Sequence, residues 1–315
     1  MCGVAGLLGR RPVEATWVQD MLTLADHRGP DGSGLAFFGR RKGGRGEWVS
    51  TENSAEALVG LGHQRLSILD LSDAGSQPMA GYSGRLHVSY NGEIYNYREL
   101  REELEVVGHE FSTGTDTEVL LAAWAQWGHH CLSRLNGMFA FLLVDLERGE
   151  FWAVRDRFGI KPLYYWTSPD GLVAFASEIK QFSRLPGWKA VVNGQRVYDF
   201  LNWGITDHTE ETCFDRVRQL PPGGRVRLPL GASERKEDDA ISTRLERWFT
   251  LQGNPWEGTE EEAANWFGET LADSVRLRLR SDVQVGSCLS GGLDSSSVVS
   301  LVNAQLDKEA SDRQS

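Results

Sequence analysis

The chain is poor in cysteine, and the four it has, Cys2, Cys131, Cys213 and Cys288, are scattered through 315 residues without a CxxC pair. Such spacing supports neither a disulfide framework nor a zinc site, and it fits a reducing compartment. Basic charge is also short: 33 Lys and Arg face 44 Asp and Glu, a formal net charge of −11. That balance argues against a nucleic-acid partner held by counterion release, although a small anion needs only a local site. No apolar stretch approaches the ~20 residues of a membrane span. The run after Met1 is short and has no basic region before it. Neither a secretory leader nor a membrane partner is therefore expected, and the expected location is cytoplasmic. There is no internal repeat and no GxxxxGK[ST], which excludes a Walker-type nucleotide loop.

What is present is an ordinary globular composition, 40% apolar and 24% charged, in a chain long enough for two domains. RLHVSY (85–90) alternates Leu86, Val88 and Tyr90 on one face, whereas MFAFLLVDL (138–146) is nearly continuous, as in a strand buried on both faces. GVAGLLG (3–9), EFWAVRD (150–156) and LVAFAS (172–177) are further strand signals. Between them lie three helix patterns. One begins near Pro12 and carries Val18, Met21, Leu22 and Ala25. One is capped by Asn96 and carries Leu100, Leu104 and Val107. One opens on the capping-box spacing of Thr115 and Glu118 and carries Leu121, Trp124 and Trp127. Strand hairpins covered by separate helices predict an α+β domain.

The polar segment PLGASERKEDDAISTR (229–244) reads as a linker or long loop, giving a domain at 2–228, a linker at 229–255 and a further piece at 256–315. In that piece Thr259 and Glu262 have capping-box spacing. VQVGSCLSGG then predicts a strand running into a glycine turn, and DSSSVVSLVNAQL a helix, which together form a β-turn-α unit. Ser290-Gly291-Gly292-Leu293-Asp294-Ser295-Ser296 falls at the turn, where helix amides and two glycines suit an anion. The other odd feature is the start, MCGVAGLLGR. A free thiol beside a terminus is a liability, unless Cys2 merely opens an apolar strand.

SGGLDSS resembles the pyrophosphate-binding loop of ATP pyrophosphatases, and VGSCLSGGLDSS most resembles that of the asparagine synthetase family. HRGPDGSG (27–34), LGHQRLSILDLS (61–72), QPM (77–79), NGEIYNY (91–97), TGTDTEVLL (113–121), LNGMFAFLLVD (135–145), RDRFGIKPLYY (155–165) and FASEIK (175–180) resemble, in order, segments of that family's glutaminase domain. The resemblance implies an α+β four-layer αββα sandwich of the N-terminal-nucleophile type, a class II glutamine amidotransferase domain. It also implies that the first β-turn-α unit of an α/β ATP-pyrophosphatase domain follows. Met1 would be removed, and the Cys2 α-amine, with a reference pKa near ~7.7–8.0, would act as base for the thiol of the same residue. No histidine is then required, and His27, His63, His87 and His109 are expected to be structural or solvent-exposed.

By the same resemblance, the Asn91 side chain and the Gly92 amide supply the oxyanion donors. Arg65 binds the α-carboxylate of glutamine and Asp116 the α-ammonium, with Glu93 contributing through its backbone or a neighbouring contact. Without the other motifs, Asn-Gly would read as a hairpin turn and Asp116 as a helix cap. Arg155, Asp156, Arg157 and Lys161 are expected to form satisfied ion pairs in a tight loop. Leu289, Ser290, Gly291, Gly292, Asp294, Ser295 and Ser296 are implied as the ATP and pyrophosphate site. ATP and Mg2+ would serve the synthetase half only, and the glutaminase half would need no cofactor.

The implied activity is hydrolysis of glutamine and use of the ammonia to amidate an ATP-activated aspartate. One alternative is an amidotransferase of the same superfamily acting on another carboxylate in a specialised pathway. A catalytically idle binding protein is disfavoured by intact Cys2, Arg65, Asn91, Gly92 and Asp116. The chain is expected to be C-terminally truncated and to keep only the glutaminase half, so the acceptor is not fixed. The insertion at 37–58 reads as an extended hairpin loop without an assigned role, and a homodimer is left open.

Overall fold

The computed structural model describes residues 1–41, 47–51, 56–231, 241 and 244–312, with side chains as far as Asp307. The chain divides into two compact units, Met1–Thr250 and Leu251–Ser315.

Two antiparallel sheets build the first unit. One has the order β11-β9-β10-β1-β4-β2-β3, formed by β1 (Gly3–Leu8), β2 (Gly32–Arg40), β3 (Trp48–Ser50), β4 (Val59–Arg65), β9 (Tyr164–Thr167), β10 (Val173–Ala176) and β11 (Val217–Gln219). The other has the order β13-β12-β8-β7-β6-β5, formed by β5 (Met79–Gly81), β6 (Leu86–Ile94), β7 (Gly137–Asp145), β8 (Glu150–Arg155), β12 (Gly224–Pro229) and β13 (Leu245–Arg247).

The layering follows from strand alternation. On β7, Phe139, Phe141 and Leu143 pack with Leu100 and Leu104 of α2 (Tyr97–Val106) and with Leu120 and Trp124 of α3 (Asp116–Trp127). The intervening Ala140, Leu142 and Val144 meet Val4 and Leu8 of β1 across the gap between the sheets. On β1 the alternate residues Ala5 and Leu7 join Val18, Met21 and Leu22 of α1 (Ala15–Thr23) in a third core. Helix, sheet, sheet and helix are thus stacked around three apolar seams, the expected αββα sandwich.

Local expectations fare unevenly. Thr115 caps α3 through a bond from Glu118 N (3.2 Å). The Glu118 carboxylate instead accepts from the amides of Ser112 (2.9 Å) and Thr113 (2.7 Å), which tightens the loop before the helix. Asn96 stands at the N-cap of α2 but does not cap it. Its amide spans to Arg134 O (3.0 Å) and Asn136 N (2.8 Å), fixing the turn into β7. The described part of the 37–58 insertion is a hairpin, with Phe38 opposite Ser50 and Arg40 opposite Trp48. The segment taken as a linker is not wholly one. Its Leu245–Arg247 stretch pairs with β12 as an edge strand, and Leu230 and Ile241 are buried in the inter-sheet core. Too few apolar residues mark it for sequence reasoning to find.

Helix α4 (Gly194–Trp203) belongs to the first unit, and the second unit contains α5 (Glu260–Arg278) and α6 (Leu293–Asp312). The Thr259–Glu262 capping box forms with both reciprocal bonds. The strand expected at VQVGSCL does not form, and Val283, Val285 and Leu289 are exposed. A parallel strand exists only by pairing with a neighbour, and no strand lies in this unit among the described residues.

Candidate active site

Pairing of β1 with β4, with Gly3 opposite Gln64, brings Cys2 against Leu66 just past the end of β4. The Cys2 Sγ accepts from Leu66 N (3.3 Å) and lies 3.6 Å from Leu66 O. Arg28 is buried and donates from Nε to Cys2 O (2.9 Å), while its Nη1 donates to Glu178 (2.8 Å). Glu178 also accepts from Lys180 (3.0 Å) and lies 2.9 Å from His27 Nε2. Those three partners outweigh its burial and hold its carboxyl at about 2. Burial pushes the Cys2 thiol up, opposed by the Leu66 amide, the N-terminal ammonium and Lys161. With Met1 in place the Cys2 nitrogen is an amide. A basic α-amine there requires removal of Met1.

Cys2 opens on a cavity of about 390 Å3 lined also by Arg65, Gln77, Tyr90, Asn91, Gly92, Glu93, Asp116, Met138 and Lys161. The Asn-Gly pair is not a turn; it lies inside β6. Amides 90, 92 and 94 point to one edge of that strand by its two-residue period. β5 covers that edge only opposite Leu86–Val88. Beyond it, Tyr90 N donates to Gln77 Oε1 (2.7 Å) and Ile94 N to Asp116 Oδ2 (2.8 Å). The Gly92 amide between them faces the cavity. Its partner across the ladder, Phe139, has turned both its N–H and its C=O to Asp156. Asn91 is buried, and its Nδ2 has no hydrogen-bond partner among the described residues. A Cβ at Gly92 would come within 2.5 Å of Met138 O, so no larger residue fits here.

Asp116 is the first residue of α3 and lines the cavity, whereas the cap that its sequence position also suggested is supplied by Thr115. Its Oδ2 accepts from Tyr90 OH (2.8 Å) and Ile94 N (2.8 Å), yet burial outweighs these bonds and lifts the carboxyl to about 6. Glu93 adjoins it and its carboxylate adds to the rise at Asp116; at Lys161 burial pulls the ammonium down, and Glu93 opposes that. Arg65 reaches the cavity with its fork partly used: Nη1 donates to Ser72 O (2.7 Å) and Nη2 to Asp70 O (2.5 Å). A Cβ at Gly75 would land on this guanidinium, so a glycine there lets the loop close over it.

A raised acid is protonated below its pKa, so a ligand ammonium meets a charged Asp116 only above about pH 6. Glutamine binding to the Cys2→Ala protein is therefore expected to weaken about fivefold on going from pH 6 to pH 5. Asp116→Asn should bind weakly and lose that dependence. Calorimetric titration at the two pH values checks both.

Arg155 and Asp156 are fully engaged, but not in the expected ion pairs. Asp156 accepts from the amides of Phe139, Phe158, Ile160 and Lys161, and Arg155 donates to the carbonyls of Gly159, Lys161 and Leu220. Arg157 donates to Leu135 O and Ser133 O and lies over the rings of Trp248 and Phe249. Lys161 lines the cavity instead. None of the four histidines does. His63 is buried against Ser89 Oγ (3.2 Å), with burial lowering it to about 3, and His87 contacts Gly84 O. His109 bridges Tyr82 and Gln126, and His27 joins Glu178. Sequence reasoning singled out none of Arg28, Gln77, Tyr90 or Glu178 as a site residue. Arg28, Gln77 and Glu178 were marked only by membership of motifs otherwise used for recognition, and Tyr90 only as an apolar position of RLHVSY.

Residues 289–296 lie in the second unit. There Gly291 has φ +83°, Ser290 Oγ and Ser295 Oγ are 3.0 Å apart, and Leu293 starts α6.

The two-sheet fold, with Cys2 lining one cavity with Arg65, Asn91 and Asp116, is that of class II amidotransferases. The glutamine phosphoribosylpyrophosphate amidotransferase structure from Bacillus subtilis superposes with a TM-score of 0.54 over 72% of this chain and 47% of that one, at 21% identity. Residues 1–237 match the glutamine amidotransferase domain model, and the chain belongs to that family. Residues 267–312 match the asparagine synthase model. Among curated relatives, asparagine synthetase [glutamine-hydrolyzing] 1 of Bacillus subtilis is 34% identical over 96% of this chain and 44% of its own length. Amidase chry2 of Gibberella zeae is 34% identical over 96% of this chain and 43% of its own. The chain thus spans less than half the length of these relatives.

Proposed function

We propose that the chain hydrolyses glutamine to glutamate and ammonia at Cys2, after loss of Met1 exposes its α-amine. The observation that carries this is the buried Asn91 Nδ2 with no acceptor, sharing one cavity with Cys2 and the Gly92 amide. Leaving such a donor unpaired costs ~1–3 kcal/mol, which an oxyanion forming beside it relieves. The α-amine takes the thiol proton, the thiolate attacks the carboxamide carbon, and Asn91 and Gly92 receive the negative oxygen. The protonated amine then passes its proton to departing ammonia, and water hydrolyses the thioester. Arg65 with its remaining donors and Asp116 hold the two ends of the amino acid, with Glu93 beside the ammonium.

In the whole protein the ammonia amidates an aspartate activated by ATP, with residues 289–296 receiving the phosphates. The donor set fits an anion: the helix start, two glycines with open space around Gly291, and the hydroxyls of Ser290, Ser295 and Ser296. Mg2+ would enter with the nucleotide and supply charge neutralisation. Among the described residues no cluster of three His, Cys, Asp or Glu offers a separate metal site. The similarity to a named amidase favours a second reading, transfer to a different carboxylate. A cytoplasmic location and a homodimer fit the same reading.

The test is a product assay on the purified chain. Glutamate and ammonia are expected from glutamine. No asparagine is expected from Mg-ATP, aspartate and ammonia, because residues 286–294 are exposed, with no sheet beside them among the described residues of that unit. Absence of glutamine hydrolysis after verified removal of Met1 would overturn the proposal.

A further inference from the structure

Three cations lie around Cys2, and they are held differently. Arg28 is spent on Cys2 O and neutralised by Glu178. Arg65 is drawn to the carbonyls of Asp70 and Ser72. Lys161 is 5% exposed, and its ammonium forms no hydrogen bond or ion pair with a described residue. Its backbone, by contrast, is pinned at both ends: Lys161 N donates to Asp156 Oδ2 (3.0 Å) and Lys161 O accepts from Arg155 Nε (2.8 Å). A desolvated ammonium costs free energy unless something in the cavity answers it. The groups facing it are Cys2, Glu93 and Asp156, with Arg28 opposing. Around the thiol and the terminal amine stand Arg28, Asp31, Asp116 and Lys161, with Arg65, Tyr90 and Glu93 further along the same cavity wall.

We propose that Lys161 is a positioning residue for the nucleophile, a fixed cation whose field favours thiolate at Cys2 and keeps the adjoining amine neutral and able to act as base. This rests on the glutaminase reading of the cavity. The field counters what burial does to the thiol and adds to what burial does to an amine beside it. Burial and Lys161 oppose each other at the thiol, and at the Met1 amine of the unprocessed chain both favour the neutral form, as a nearby cation would for an amine on Cys2. Glu93 and Asp116, being anionic, would otherwise disfavour thiolate. An uncommitted cation therefore serves the site better than one locked in the ion pairs that the RDRFGIK motif suggested.

The experiment follows alkylation of Cys2 by iodoacetamide as a function of pH. Labelling is located by peptide mass, because Cys288 is exposed and labels independently. Lys161→Gln is expected to raise the midpoint of the Cys2 alkylation profile by about half a unit to one unit, since a charge of opposite sign that favours the thiolate is removed. Lys161→Arg should restore it to within about a quarter of the wild-type difference. The acid limb of the glutaminase kcat/KM profile should move up with it, at nearly unchanged KM. If Lys161→Gln does not fold by circular dichroism, Lys161→Met keeps the stem and reads the same midpoint. An unmoved midpoint in a folded neutral variant, or an Arg variant that behaves like Gln, overturns the proposal. Failure of the glutaminase reading itself shows separately, as absence of hydrolysis by the wild-type chain with a normal Cys2 alkylation profile.

Discussion

Replacing Cys2 by alanine is expected to remove glutamine hydrolysis, a loss on the order of 10^4-fold or more, while leaving glutamine bound. The groups proposed to hold it lie elsewhere, with Arg65 on β4 and Asp116 at the start of α3. Sγ touches only Leu66 among its hydrogen-bond partners, so its removal disturbs little of the fold. Cys131 is the contrasting case: burial without compensation pushes its thiol far up, and Cys131→Ala should act on stability alone. A stopped glutaminase assay beside calorimetric glutamine binding separates the two functions of the site. Loss of binding together with activity would reassign Cys2 to substrate recognition. Mass spectrometry should find Cys2 at the terminus of the active protein, because an acylated nitrogen cannot take the thiol proton.

Asn91→Ala carries the second large effect. A donor aimed at charge that exists only in the transition state should cost kcat about 10^2–10^3-fold and leave KM nearly unchanged. The variant should also be no less stable than the parent, because it deletes a buried N–H that has no partner in the resting protein. A polar residue kept for structure would do the reverse, with stability falling and turnover following it. Thermal unfolding and steady-state kinetics on the same preparation decide between them. A rise in KM at constant kcat would remove Asn91 from the oxyanion site.

Much of this was legible from residues 1–228, and the reasons are local. The unbroken apolar run of β7 announced a strand with cores on both sides, and it has them. The Thr115 cap and the Thr259–Glu262 box were visible because capping needs only four consecutive residues. What escaped depends on distant chain. The 283–289 stretch has strand composition but no strand to pair with, so propensity alone did not make one. Leu245–Arg247 is the opposite case, a strand made by the waiting edge of β12. Charge counting suggested ion pairs for Arg155 and Asp156, but backbone amides and carbonyls that no sequence pattern displays claimed them first. The Arg28–Glu178 clamp joins residues 150 positions apart, and nothing in either motif states the pairing.

The short reach of β5 sets where this protein tolerates insertions. β5 stops at Gly81, and the chain turns through Tyr82 and Ser83, both with positive φ, before β6 begins at Leu86. Extra residues in that turn lengthen a surface loop and leave the pairing of Val88 with Leu143 and of Asn91 with Ala140 untouched. One residue added between Val88 and Asn91 does something different in kind. It exchanges the two faces of everything downstream, sending the Asn91 amide toward the opposite side and presenting the wrong peptide to the opening beyond β5. Variation in length is thus confined to the hairpin tip, and the stretch from Val88 to Ile94 is held to a fixed count by geometry alone, whatever side chains it carries.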